Sequence, residues 1–211
     1  MTARLVIFDL DGTLSHTNVS FAFTKFLYKN NLLSLAKMLT LVGIYAAHTC
    51  GLCSVEFVHS FAFQTLLKGK SVTHTKQLID QFLQQSLPTL FRLYSLECLQ
   101  KAKQENAKIW LLSSSPDCIV EPIAAYLGIA TTHATTYCTC GDLYTELGFI
   151  ATGTTKRAFL EAYLAHNPIK SLAYSDSIHD LPLLERVDTP IAICPDRKLK
   201  KIAKQCGWQI C

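Results

Sequence analysis

The sequence predicts an α/β fold: a mostly parallel open sheet flanked by helices, interrupted after its first strand by a wholly helical insertion. Three observations carry this. Short apolar runs at residues 5–8, 108–112, 171–174 and 190–194 read as buried strands, each ending on a polar feature or a turn. Segments of helical period lie between the later ones, as in a parallel sheet with crossover helices. Residues 18–91 have helical texture and no strand signal, so the first strand is separated from the rest of the sheet.

The first run, Leu5-Val6-Ile7-Phe8, leads into Asp9-Leu10-Asp11-Gly12-Thr13-Leu14. Two carboxylates just past the C-terminal edge of a buried strand are costly unless something positive lies between them. That edge is where open α/β sheets bind ligands. One Mg²⁺ and one phosphate meet both demands. Asp9 then attacks phosphorus, and Asp11 handles the proton of the leaving group and afterwards of water. The plainer alternative is a hairpin turn at Asp11-Gly12.

In the insertion, Phe21, Phe23, Phe26 and Leu27, then Leu32, Leu35, Leu39 and Val42, fall at helical spacing. Further helices are expected over 54–67 and 73–86, punctuated by Gly43, Gly51, Gly69 and Pro88. Residues 38–55 carry no formal charge with His48 neutral, a length that reaches the threshold for a membrane span. Gly43, Thr49, Gly51 and two cysteines weigh against a span, so a buried helix is expected. A helix that dips into a bilayer is the alternative.

Residues 90–106 read as a helix, and Lys108-Ile109-Trp110-Leu111-Leu112 as the second strand. It ends in Ser113-Ser114-Ser115-Pro116-Asp117, where Ser115 is a good N-cap and Pro116 suits a first helical turn. Hydroxyls and free N–H groups at such a helix start suit an anion. Residues 133–152 alternate and predict an antiparallel hairpin turning at Gly141-Asp142. Gly153-Thr154-Thr155-Lys156-Arg157 opens the next helix, with Thr154 or Thr155 as its cap. A lysine in a first turn is opposed by the helix dipole by ~0.3–1 kcal/mol, and a nearby phosphate reverses that sign. The strand at 171–174 ends in Ser175-Asp176-Ser177-Ile178-His179-Asp180, with Asp176 at the edge, Asp180 four residues on and His179 exposed. The strand at 190–194 precedes a last helix beginning at Pro195-Asp196, and residues 207–210 close the sheet.

The chain has 211 residues, 49% of them apolar and 17% charged, enough for a sizeable core. The net charge of +4 is mild, and no basic stripe is interleaved with aromatics, so nucleic acid is not an expected partner. An apolar strand within ten residues of Met1 argues against a signal peptide, and the nine irregularly spaced cysteines read as reduced thiols of a cytoplasmic protein. Asp9, Asp11 and Asp176 offer hard oxygen ligands for Mg²⁺, and Ser113 and Lys156 can hold phosphate oxygens. A carboxylate can carry a phosphoryl group between two easier steps.

The ordered set Phe8-Asp9-Leu10-Asp11-Gly12-Thr13-Leu14, Leu112-Ser113-Ser114-Ser115-Pro116, Lys156, and Ser175-Asp176 through Asp180-Leu181-Pro182 resembles the haloacid dehalogenase-like superfamily, subfamily IB, in its phosphoserine phosphatase-like branch. The resemblance implies a Rossmann-like core at 1–16 and 92–211 with a helical C1-type cap at 17–91. It implies a Mg²⁺-dependent phosphatase acting on a small phosphate ester through an aspartyl-phosphate. Asp9 is then the nucleophile, and Asp11 the general acid/base whose main-chain carbonyl also binds Mg²⁺. Ser113, Ser114 and Lys156 bind phosphate, Asp176 binds the metal, and Asp180 supports it from behind. The branch places a glutamate soon after the nucleophile loop and an arginine in the cap. Here no acid occurs between Asp11 and Glu56, and no arginine between Arg4 and Arg92. The expected substrate is therefore not phosphoserine. Two other readings are a membrane-associated phosphatase of a phosphatidylglycerophosphate-like lipid and a non-catalytic phosphate-binding protein.

Overall fold

The computed structural model describes residues 4–211. In chain order its elements are β1 (Arg4–Phe8), α1 (Val19–Lys29), α2 (Leu35–Thr49), α3 (Val55–Leu66), α4 (Val72–Leu90), α5 (Leu93–Gln104), β2 (Lys108–Pro116), α6 (Asp117–Tyr126), β3 (Thr131–Thr135), β4 (Tyr137–Cys140), β5 (Leu143–Leu147), α7 (Gly153–Leu164), β6 (Lys170–Ser175), α8 (Leu181–Leu184), β7 (Thr189–Ala192), α9 (Arg197–Cys206) and β8 (Gln209–Ile210). Six strands form one sheet in the order β3-β2-β1-β6-β7-β8, and every pairing in it is parallel. This is the expected α/β architecture, a Rossmann-like parallel sheet flanked by helices. β1 lies centrally, with Phe8 opposite Leu111 of β2 and Tyr174 of β6. That register brings the ends of three strands side by side at one edge.

Alternation along β1 divides the core. Val6 and Phe8 pack on one face with residues of α5 and α6; Leu5 and Ile7 pack on the other with α7, α8 and α9. Ring stacking of Phe8 on Tyr174, with centroids 4.7 Å apart, joins β1 to β6 on the first face.

Helices α1–α4 follow the Asp9–Ser15 loop without an intervening strand. Asn18, Ser34, Ser54 and Ser71 cap them, each accepting a backbone N–H of the first turn. α1 and α4 bury Phe23, Phe26, Leu27, Ile79, Phe82 and Leu83 in the same cluster as Val6 and Phe8. α2 differs from expectation. It is not a buried helix, since no residue of it is fully buried. Nor does it reach the length of a span: it ends at Thr49, and Gly51 turns the chain with φ +76°. Among the described residues no helix is long and apolar enough to cross a membrane. Uncharged composition reads the same for a buried helix and for a peripheral one, which is why the sequence misled here.

Three local expectations are corrected. Helix α6 starts at Asp117 rather than after Ser115, because β2 continues to Pro116 and frees the Ser115 hydroxyl for another partner. The stretch after residue 130 is not a simple hairpin: β3 extends the parallel sheet, and only β4 and β5 pair antiparallel around Gly141-Asp142. Thr152, not Thr154 or Thr155, caps α7, in a reciprocal pair with Thr155. The β4–β5 ribbon braces α3 and α4. Asp142 accepts from Ser71 and Thr73, and Phe63 stacks on Tyr137. All nine cysteines are free.

Candidate active site

The loop after β1 is held from three sides. Gly12 has φ +77°, and a Cβ there would collide with the Asp176 carboxylate. Arg92 Nε donates to the Gly12 carbonyl at 2.8 Å, and buried Ser95 donates to that of Thr13 at 2.7 Å. The backbone of residues 90–92, returning from α4, pairs with Leu14 and His16. The loop thus has little freedom to reorient Asp9 or Asp11.

Buried Asp9 faces buried Lys156 from the first turn of α7. Lys156 Nζ lies 2.8 Å from Asp9 Oδ1, and 2.8 and 3.0 Å from the two oxygens of Asp180. Gly153 permits this approach, because a Cβ there would collide with the His179 carbonyl. Burial alone would push the Lys156 ammonium down, but Asp180 and Asp9 outweigh it and hold the group above the usual lysine range. Burial raises Asp9 well above an ordinary carboxylate despite Lys156. Ser175 Oγ donates to Asp180 at 2.8 Å and fixes its orientation.

Asp11 is held on the opposite side. Its Oδ1 accepts the Val19 backbone N–H at 2.6 Å; its Oδ2 accepts Ser115 Oγ at 2.7 Å and Ser113 Oγ at 3.3 Å. Burial raises its pKa, with the Ser115 and Val19 bonds opposing. A carboxyl raised but well oriented can serve as acid and base in turn. Ser114 lies beside it in β2 and offers its carbonyl to Thr135 Oγ1 at 2.7 Å.

Asp176 follows β6 and accepts from Thr13 Oγ1 at 3.3 Å. Burial first, then Asp180, pushes its carboxyl up to about 7. Four carboxylates therefore share this edge with one lysine, a surplus of negative charge that calls for a cation. No three His, Cys, Asp or Glu side chains among the described residues form a metal-sized group. The Asp11 side chain is already engaged. Asp9, Asp176 and backbone oxygens of the loop remain, and one or two carboxylates completed by water and phosphate oxygens fit Mg²⁺.

The strand-end acids, the buried lysine and the serine-rich end of β2 thus meet at one edge. A family model described as haloacid dehalogenase-like hydrolase matches residues 6–185. The chain belongs to the haloacid dehalogenase-like hydrolase family. The chain is 26% identical to a histidinol-phosphatase of Neisseria meningitidis, over 98% of this chain and 97% of that protein. A Bordetella pertussis protein of unknown function superposes with TM-score 0.88 at 24% identity, covering 100% and 98% of the two chains. A phospho-aspartyl intermediate analogue of phosphoserine phosphatase superposes with TM-score 0.73 at 17% identity, covering 100% and 93%. These likenesses place the hydrolase in the fold expected from its motifs.

Sequence reasoning missed several polar residues of this hydrolase. Ser115 looked like a helix cap and instead binds Asp11. Thr13 and Ser175 stood within the motifs but were given no role of their own; they bond Asp176 and Asp180. Asp196 was read only as a helix start. It does cap α9, and its second oxygen also accepts the Ile178 N–H at 2.7 Å while its own N–H donates to the Asp176 carbonyl at 2.8 Å. Tyr45 and His48 of α2 were unassigned. Burial, with Asp11 and Asp176 adding, raises the Tyr45 hydroxyl, and His48 stacks on exposed His179 at 5.2 Å between centroids.

Ser115→Ala removes a donor that favours ionised Asp11, so the Asp11 pKa should rise. The protonated acid then survives to higher pH, and the alkaline limb of the kcat/KM profile should move upward, with about a tenfold loss in kcat. A pH–rate profile on an aryl phosphate checks this; an unmoved limb would mean that Ser115 does not tune Asp11.

Proposed function

We propose that this hydrolase is a Mg²⁺-dependent phosphomonoesterase working through an aspartyl-phosphate on Asp9. The observation that carries the reading is the buried Lys156 Nζ, 2.8 Å from Asp9 and from Asp180 at the strand edge that also bears Asp11 and Asp176. Asp9 Oδ attacks phosphorus as the ester P–O bond breaks. Asp11 gives its proton to the departing alkoxide. Water then attacks the aspartyl-phosphate, Asp11 takes its proton, and inorganic phosphate leaves with Asp9 restored. Lys156 offsets charge on the phosphoryl oxygens, and Ser113 and Ser114 at the end of β2 hold the remaining oxygens. Asp9, Asp176 and the Asp11 carbonyl would hold Mg²⁺, which supplies charge neutralisation at the phosphoryl group. Asp180 positions Lys156.

Helices α1–α4, over 17–91, act as the cap in this reading. Among the cap side chains on the side of the acids are Tyr45, stacked with Phe21 at 6.4 Å, and His48, stacked on His179. Neither is an acid to meet an amine nor an arginine fork to meet a carboxylate. The favoured substrate is a phosphomonoester with an uncharged, partly apolar alcohol, rather than phosphoserine. The exposed apolar residues of α2 support a lipid phosphate as the second reading. Mg²⁺-dependent phosphate release from an aryl phosphate, with trapping by beryllium fluoride, tests the mechanism. A screen over amino-acid, sugar, nucleotide and lipid phosphates then tests the substrate class; release unaffected by removal of metal would overturn the Mg²⁺ role.

Metal and pH should be linked. A carboxyl raised from 3.8 to about 7 in the folded chain takes up a proton on folding between those values. In metal-free protein its contribution to stability is full below the unfolded value and is lost as pH rises through 7. Adding Mg²⁺ should therefore raise Tm more at pH 8 than at pH 5.5. Thermal unfolding with EDTA or Mg²⁺ at both values checks this; an equal shift at both would detach Asp176 from the metal.

A further inference from the structure

We propose that the outward face of α2, with the α2–α3 turn, is a docking surface for an anionic lipid bilayer. Along α2, Leu35, Ala36, Leu39, Gly43 and Ala46 are all exposed and carry no charge. Leu35 is 53% and Leu39 60% exposed; beyond the helix, Leu52 is 80% and Phe57 of α3 52% exposed. A Cβ on Gly43 would meet nothing within 4 Å, so this side is open. The opposite side of the same helix carries Met38 and Leu41, which pack on the core, and His48, which reaches His179. α2 therefore has an inner face that is partnered and an outer apolar face that is not.

Charge selects the occupant. Residues 17–91 contain six lysines and two acids, whereas the rest of the chain is balanced at fourteen of each. The whole formal net charge of +4 thus sits on these helices. Between Gly12 and Val55 there are three lysines and no acid. At the corner joining α1 to α2, exposed Lys29 and Lys37 flank exposed Leu32 and Leu35. Apolar side chains beside lysines suit a surface that offers hydrocarbon and anionic phosphate together. A second copy would bring another +4 against the first. Fifteen residues of α2 span roughly 22 Å, short of the ~30 Å hydrocarbon layer, so the helix lies in the interface and does not cross it.

Co-sedimentation of the full chain with vesicles provides the test. Phosphatidylcholine alone is compared with an equal mixture of phosphatidylcholine and phosphatidylglycerol. The wild-type chain is expected to pellet with the mixed vesicles and to be released by raised salt. Leu35→Ser with Leu39→Ser should reduce that partition by about tenfold or more. Hydrolysis of a soluble aryl phosphate by the double variant should stay unchanged, which keeps misfolding apart from lost docking. Lys29→Gln with Lys37→Gln should weaken binding to mixed vesicles only. Equal partition of wild type and the leucine variant would overturn the proposal, as would no binding to mixed vesicles at low salt. Light scattering that shows a wild-type dimer abolished by the leucine variant would assign the face to a second copy instead and overturn it equally.

Discussion

Replacing Asp9 by asparagine is expected to lower kcat on an aryl phosphate by roughly 10³-fold or more, because an amide cannot carry the phosphoryl group. The fold should survive. The amide is nearly isosteric with the carboxylate, and Lys156 keeps both oxygens of Asp180 as partners at 2.8 and 3.0 Å. Circular dichroism and Tm should stay near wild type while beryllium fluoride no longer protects the site. Near-normal turnover by this variant would show that another group attacks phosphorus. Asp11→Asn is the companion case: the first half-reaction loses its proton donor and the second its base, so both should slow.

Lys156→Met should cost both activity and stability, and the two losses have the same origin. The methionine removes the cation between two buried carboxylates, and breaking a buried pair by deleting one partner typically costs about 3–5 kcal/mol. Loss of a phosphoryl-oxygen clamp should cost about 10²–10³-fold in kcat. The stability loss should depend on pH with a definite sign. The Asp9 carboxyl is already raised by burial, and without Lys156 its folded pKa rises further. Stability is then present at low pH and is lost as pH rises through that value. Urea unfolding at pH 5 and pH 8 should show a larger deficit for the variant at pH 8. A uniform deficit across pH would mean that Lys156 matters through packing alone.

The candidate site was legible where a residue conflicted with its own local structure. Asp9 and Asp11 end an apolar run, and Lys156 opens a helix whose dipole opposes it, so each demanded a partner of opposite charge. Asp176 repeated the pattern after β6. Apart from Ser113 and Ser114, the roles of the hydroxyls were not legible, because serine or threonine near a helix start is equally at home as a cap. Ser115 filled that expectation and does something else: it bonds Asp11 2.7 Å away, 104 residues distant in the chain. The parallel strand β3 was hidden for a related reason. Its sequence, Thr131-Thr132-His133-Ala134-Thr135, lacks the apolar run of a central strand because it lies on the sheet edge. α2 was misjudged because absence of charge does not say which side of a protein surface a helix occupies.

The packing of α1 and α4 into the cluster that holds β1 has a kinetic consequence. A rigid swing of all four helices would tear Phe23, Ile79 and Phe82 from that cluster, whereas α2 would give up only the partly buried Met38 and Leu41 and the His48–His179 stack. If these helices cap the site as proposed, admission of substrate needs only a partial breathing of α2, since Phe63 ties α3 to Tyr137. Amide hydrogen exchange should be graded accordingly, rapid through α2 and slow through α1 and α4. On the proposed mechanism, an effector that grips α2 from outside would gate turnover without disturbing the surroundings of Asp9.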